Sequence, residues 1–198
     1  SDVTSHYYAR RRRIHTVYAR RIRPEGHAAR PRLIYLHGYM QPETLIEEFA
    51  LLATMAQTLQ VEVVQLQPPY HGRRKPRSSL VDGELYWTAD VVRSLEAMRQ
   101  NLLDARSLLA FMQQESTQPV GVAGLSLGGA LAAILTCLEP GFAFSAPFVA
   151  HMDLAALVAD APVLGAMRAD LQRFGWSPRD FGDFTARIGW NELTPVIP

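Results

Sequence analysis

Apolar and polar positions along the chain alternate between two periods, and the order in which they do so predicts an open α/β sheet. Residues His15 to Ile22 alternate with period two, as a half-exposed strand near a sheet edge does. Leu33 to Leu36 is a short apolar run after Pro31, the pattern of a strand buried on both faces. From Pro42 to about Leu59 the apolar residues Leu45, Phe49, Leu52, Ala56 and Leu59 recur at spacings of three and four, which predicts a helix. Val61 to Leu66 is a valine-rich strand, followed by a loop with Pro68, Pro69, Gly72 and Pro76. A long helix is expected from about Leu85 to Gln114, with Val91, Leu95, Met98, Leu102, Ala105, Leu109 and Met112 along one face. Val120 to Ala123 then reads as a strand, Ser126 to Leu138 as a buried helix of small and apolar residues, and Phe142 to Ser145 as a further strand. Strands alternating with helices predict a mostly parallel sheet covered on both faces.

After Ser145 the pattern turns helical. Asp153 to Arg173 predicts one or two helices broken near Pro162. A further helix is announced by Ser177 as N-cap, Pro178 at the first helical position and Asp180 in the first turn. The expected organisation is a core over residues 1–152, a helical cap or lid segment over 153–190, and the start of a link over 191–198.

Composition narrows the partners. A net charge of +1 gives no global attraction for nucleic acid, so no nucleic-acid partner is expected. Arginines supply nineteen of the twenty basic residues and nine precede Leu33, including Arg10 to Arg13; apolar residues interleave with them, as on the wet face of edge strands. Between Glu115 and Glu139 no residue is charged, a length that would span a bilayer, but Pro119 opens the run and four glycines fall between positions 121 and 129. That pattern predicts strand, turn and helix in place of one membrane helix, so no stable membrane insertion is expected. Cys137 is the single cysteine, and no apolar leader precedes Leu33, which leads to the expectation of a reducing, cytoplasmic setting. No zinc, nucleotide or dinucleotide motif is present in the sequence, and no cofactor is expected.

The candidate chemistry lies in Gly124-Leu125-Ser126-Leu127-Gly128-Gly129, between a short strand and a helix of small residues. A sharp strand-to-helix turn presents a serine hydroxyl to solvent on a rigid, strained backbone, and the flanking positions come so close that glycine alone fits. The helix N-terminus then favours a developing negative charge beside Ser126. A second signal, Leu36-His37-Gly38-Tyr39-Met40, follows an earlier strand. Acyl transfer needs two amides aimed at the oxyanion; the expected donors are the amide of Leu127 and that of Tyr39, with Met40 as the alternative. His37 itself is read as a structural histidine. The cluster Arg73, Arg74, Lys75 and Arg77 is read as a solvated loop, the alternative being a hold for an anionic group of a substrate.

The strand ending in His37-Gly38, the elbow around Ser126, the loop Pro69-Tyr70-His71-Gly72-Arg73-Arg74-Lys75-Pro76 and the alternating pattern together resemble the α/β-hydrolase superfamily, over about residues 33–198. The resemblance implies a capped α/β-hydrolase fold and serine-dependent hydrolysis of an ester, thioester or related acyl substrate through an acyl-enzyme on Ser126. It also implies a triad in chain order Ser, acid, His. Two more strand–helix units, roughly 60 residues, would carry the last two members, and the expectation is that the natural protein continues past Pro198. His151 with Asp153 two residues on, or His71, are the alternatives within this chain. The rival reading is a non-catalytic hydrolase-fold binding module, or an inactive fragment lacking the catalytic histidine. Without the last strands the Phe142 strand forms an apolar edge, so a homodimer through that edge is expected; light scattering at high concentration checks it, and a clean monomer would contradict it.

Overall fold

The computed structural model describes residues 14–26, 29–42 and 47–187. Five strands form one sheet: β1 (Ala19–Ile22), β2 (Arg32–Leu36), β3 (Glu62–Leu66), β4 (Val120–Leu125) and β5 (Ser145–Phe148). Their spatial order is β1-β3-β2-β4-β5, with β1 antiparallel to β3 and every other pair parallel. The registers Leu36↔Leu66 and Leu36↔Gly124 bring the carboxyl ends of β2, β3 and β4 level with one another. The chain leaves β2 toward β3 on one side and returns to β4 on the other, so the crevice beyond β2 and β4 is a topological switch point, where open α/β sheets bind ligands.

Helices fill the crossovers. A π-helical turn (Glu47–Ala53) runs into α1 (Thr54–Leu59), α2 is Val91–Glu115, and α3 is Leu127–Leu138. Beyond β5 come α4 (Leu154–Asp160), a 3₁₀ turn at Pro162–Leu164, α5 (Gly165–Arg173) and α6 (Pro178–Arg187). Alternate residues of the strands serve opposite faces. Ile34, Leu36, Val64, Leu66, Val120 and Val122 pack with α2 and α3, whereas Leu33, Tyr35, Val63 and Ala123 pack with Leu52 and Ala56. The uncharged run between Glu115 and Glu139 is thus divided into β4 and α3, and among the described residues no helix is long and apolar enough to cross a membrane.

Three expected boundaries shift, each for a local reason. Helix α2 begins at Val91 and not near Leu85, because the Asp90 carboxylate accepts the Arg93 amide at 3.1 Å and the Ser94 hydroxyl turns back to the Thr88 carbonyl. That leaves Tyr86 and Trp87 free to bury their rings in the core. The regular pairing of β5 starts at Ser145, three residues later than expected, although the Ala143 amide already reaches the Val120 carbonyl at 2.8 Å. The Phe144 ring lies against Gly121, where an added methyl group would come within 2.2 Å of it. Leu59, expected on the buried face of the first helix, is 60 % exposed, and the core is made by Leu52 and Ala56 instead. Leu45 and the stretch 43–46 lie outside the described residues, as do Arg10 to Arg13 and the side chain of Phe49. At α6 the expected cap is present: Ser177 and Asp180 exchange backbone-to-side-chain hydrogen bonds at 2.8 and 3.2 Å.

Of the loop cations, Arg73 and Arg77 are exposed as expected, and Arg74 corrects the expectation of a solvated loop. Arg74 is fully buried, donates to the carbonyls of Gln67 (2.9 Å) and Ile14 (2.7 Å), and pairs with Asp104 at 2.7 Å. Asp104 is buried too and accepts from Gln100 at 2.5 Å. The buried face of α2 includes Ser94, Asn101 and Asp104, whereas Leu95 and Leu102 are half-buried. Removing one partner strands a buried charge, so Asp104→Ala is expected to cost about 3–5 kcal/mol, and Arg74→Met with Asp104→Leu together much less. Urea unfolding of both variants checks this.

Candidate active site

The turn from β4 into α3 is made at Ser126, whose φ of 54° and ψ of −113° are a conformation that L-residues avoid. Holding a serine there costs roughly 1–3 kcal/mol and needs support from all sides. The support is backbone. The Ser126 amide donates to the Phe148 carbonyl at 2.9 Å, and the Ser126 carbonyl accepts from Ala130 at 2.9 Å. A methyl group on Gly124 would lie 2.2 Å from the Gly128 carbonyl oxygen, one on Gly128 1.9 Å from that of Leu36, and one on Gly129 2.5 Å from that of Phe148. The three glycines therefore let β4, α3, β2 and β5 converge on one serine.

Leu127 is the first residue of α3, where a backbone amide has no acceptor within the helix. Across the crevice, the segment after β2 reaches the same point: a methyl group on Gly38 would sit 3.7 Å from Ser126 Cβ. The Gly38 amide is taken by Gln41 Oε1 at 2.9 Å, and Met40 turns with φ 54°. Among the described residues the Tyr39 amide has no hydrogen-bond acceptor. The Tyr39 ring leans on Trp87 at 5.0 Å, and its phenol is pushed up to about 12 by burial, with the charge of Glu84 adding to it.

Ser126, Leu127 and Tyr39 line one cavity of about 60 Å³. Apart from His151, its other walls are apolar: Trp87, Met98, Ala130, Leu154, Leu157, Val163 and Leu164. The three site residues read from the sequence are thus brought together. Nothing in the sequence singles out Trp87 or the walls from α4 and the 3₁₀ turn, because only the fold carries them to the serine. Adjacent aromatic residues, Tyr86 and Trp87, were the one signal available.

The histidines divide. His151 is exposed and lines the same cavity. Asp153 does not serve it in the structure: its carboxylate caps α4 by accepting the Ala156 amide at 2.9 Å, as its place before a helix implies. His71, considered as a base, is fully buried and is not among the residues lining the cavity. Its Nδ1 donates to the Pro69 carbonyl at 2.8 Å, and its ring meets that of His37 edge-on at 5.0 Å. Burial first, then the neighbouring His37 and Arg74, push His71 down to about 3. Because the unfolded chain takes up a proton near pH 6.5 and the folded one resists, stability is full above that pH and falls toward pH 3 by about 1 kcal/mol per pH unit. Urea unfolding at a series of pH values checks this; His71→Gln should reduce the slope between pH 6.5 and 5, the remainder coming from His37, whose proton affinity burial also lowers.

Comparison with known proteins agrees with this fold. The family model described as alpha/beta hydrolase domain containing 18 matches residues 17–163. Two uncharacterised proteins of Mycobacterium tuberculosis, from strains CDC 1551 / Oshkosh and ATCC 25618 / H37Rv, are each 30 % identical over 134 residues, which is 65 % of this chain and 31 % of theirs. The chain thus spans about a third of the length of these curated relatives. Among solved structures it resembles acetyl xylan esterase 1 of Thermoanaerobacterium sp. JW/SL YS485, with a TM-score of 0.61 and 19 % identity over 91 % of this chain and 61 % of that one. It also resembles Est1E of Butyrivibrio proteoclasticus with ferulic acid bound, with a TM-score of 0.56 and 16 % identity over 82 % and 57 %. At these identities the likeness shows a shared fold.

Proposed function

Since the chain belongs to the alpha/beta hydrolase domain containing 18 family, we propose that it carries the nucleophile and oxyanion hole of a serine hydrolase acting on an ester, thioester or related acyl substrate. The observation that carries this reading is the strained Ser126 backbone at the mouth of an apolar cavity. Strain of this kind is held only where neighbouring structure enforces it, and here it aims a hydroxyl at a pocket fit for an acyl group. Ser126 Oγ attacks the acyl carbonyl, the alcohol or thiol departs, and water releases the acid from Ser126. The amides of Leu127 and Tyr39 receive the negative charge on the tetrahedral oxygen. His151 is the imidazole that the described residues offer as base. The helices α4 to α6 act as the cap, with Leu154, Leu157, Val163 and Leu164 closing the acyl side against water.

The test is incubation of the folded chain with p-nitrophenyl acetate, with quenching and peptide mass analysis. The expected result is release of p-nitrophenol above the blank, with acetate trapped on the Ser126 peptide. No release and no acyl-enzyme would overturn the proposal for this chain. One observation favours a second reading, a module that binds acyl ligands without turnover: the Asp153 carboxylate is committed to the start of α4 and leaves His151 without that acid partner. Saturable binding of the ester with neither release nor acylation would select it.

A further inference from the structure

The cavity beside Ser126 has an open end and a closed one. Ser126, His151 and Val163 are exposed and stand at its mouth. Trp87, Met98, Leu154 and Leu164 are buried in the core and form its inner end. A substrate carbonyl at Ser126 therefore sends its acyl chain inward and leaves its alcohol or thiol on the solvent side.

At about 60 Å³ the cavity is short. By the same measure a water needs about 10–15 Å³, so the cavity holds about four to six non-hydrogen atoms. Acetyl and butyryl groups meet that limit, and an octanoyl group exceeds it. The inner end is also fixed. Trp87 Nε1 donates to Met98 Sδ at 3.4 Å, and the Trp87 ring meets those of Tyr39 at 5.0 Å and Tyr86 at 6.1 Å. Tyr86 is itself fully buried and its hydroxyl accepts from Asn101 at 3.4 Å. An indole moved from this place would lose the acceptor that its buried N–H needs. Methionine alone adapts readily to a longer guest, but here its sulfur is tied to the indole. On the cap side Leu154 and Leu164 belong to the same packed cluster.

We propose that Trp87 sets the length of the acyl group: the site takes acyl chains from acetyl to about butyryl and excludes medium and long ones. This rests on the hydrolase reading of Ser126 and gives it a substrate class, esters and thioesters of short carboxylic acids. Trp87 acts as a specificity residue and takes no part in the bond-making steps.

Steady-state rates with the p-nitrophenyl esters of acetic, butyric and octanoic acid test this. In a pocket open at its inner end, each added methylene would be buried and would raise kcat/KM about fourfold. In a closed one the added atoms force the packed wall apart. The expected result is turnover of acetate and butyrate, with kcat/KM for octanoate at least about tenfold below that for butyrate. Trp87→Ala, which opens the inner end, should raise the octanoate-to-butyrate ratio about tenfold or more. Because that change also removes core packing, Trp87→Leu is measured beside it and should move the ratio in the same direction. A second readout is independent of turnover: saturation-transfer NMR of Ser126→Ala with methyl butyrate and methyl octanoate, where the butyrate is expected to bind and to resist displacement by the octanoate. Binding of methyl butyrate in this way without turnover of any ester would end the hydrolase reading and support the length limit. Octanoate turned over or bound as well as butyrate overturns the limit and leaves the hydrolase reading standing. Binding of neither methyl ester, or an unchanged ratio in a folded Trp87 variant, also overturns the proposal.

Discussion

Replacing Ser126 by alanine is expected to lower ester turnover by about 10⁴-fold or more while leaving the fold intact. The loss is large because an acyl-enzyme cannot form without the hydroxyl, and the oxyanion donors alone recover only a small part of the rate. The fold survives because alanine keeps the Cβ and the backbone contacts: the amide to the Phe148 carbonyl and the carbonyl to Ala130 involve no side-chain atom. Glycine at the same position sharpens the test. It is equally inactive, but it relieves the φ 54° strain and should raise stability by about 1 kcal/mol, offset in part by its larger unfolded-state entropy. Steady-state rates with p-nitrophenyl acetate and thermal melting of the three proteins check both halves. An inactive alanine variant that is also unfolded would show that Ser126 is a packing residue.

The second large effect concerns Gly128. An added methyl group would press 1.9 Å from the Leu36 carbonyl oxygen, 2.5 Å from its carbon and 2.8 Å from the His37 carbonyl oxygen. All three are backbone atoms of the last residue of β2 and the residue after it, so no rotamer change makes room. The helix cannot retreat either, because Gly124 and Gly129 already pack against backbone on the other sides. Gly128→Ala is therefore expected to cost more than about 4 kcal/mol, enough to leave much of a marginally stable domain unfolded. Gly165→Ala is the control: it sits in the first turn of α5, where an added methyl would meet only the Arg168 guanidinium at 3.9 Å, and should be neutral or stabilising by up to about 1 kcal/mol. Circular dichroism and urea unfolding distinguish the two.

The elbow was legible because its constraint is local. Glycines two before and two after Ser126 state a close approach that the structure then shows atom by atom. The strands β2, β3 and β4 were legible for a similar reason, since buried parallel strands read as unbroken apolar runs. The Ser177–Asp180 cap needs only three residues of context. What stayed hidden depends on partners far along the chain. Arg74 looks like any loop arginine until Asp104, thirty residues away, comes to meet it. The start of α2 was obscured because Tyr86 and Trp87 continue an apolar period that the Asp90 cap interrupts. The acyl walls at Leu154, Leu157, Val163 and Leu164 read only as the inner face of helices, and no pattern within them points to Ser126. His37 was read as a satisfied structural histidine; it is buried, but one ring nitrogen is left without a partner, which only the surrounding geometry reveals.

The account's central claim is that Ser126 is an activated nucleophile, and a fluorophosphonate probe tests it most directly. The folded chain is treated with the probe beside a urea-denatured sample, and the adduct is located by peptide mass. The account predicts one adduct, on Ser126, in the folded chain and none in the denatured one. A folded chain without an adduct at Ser126, or equal labelling of both samples, would contradict it.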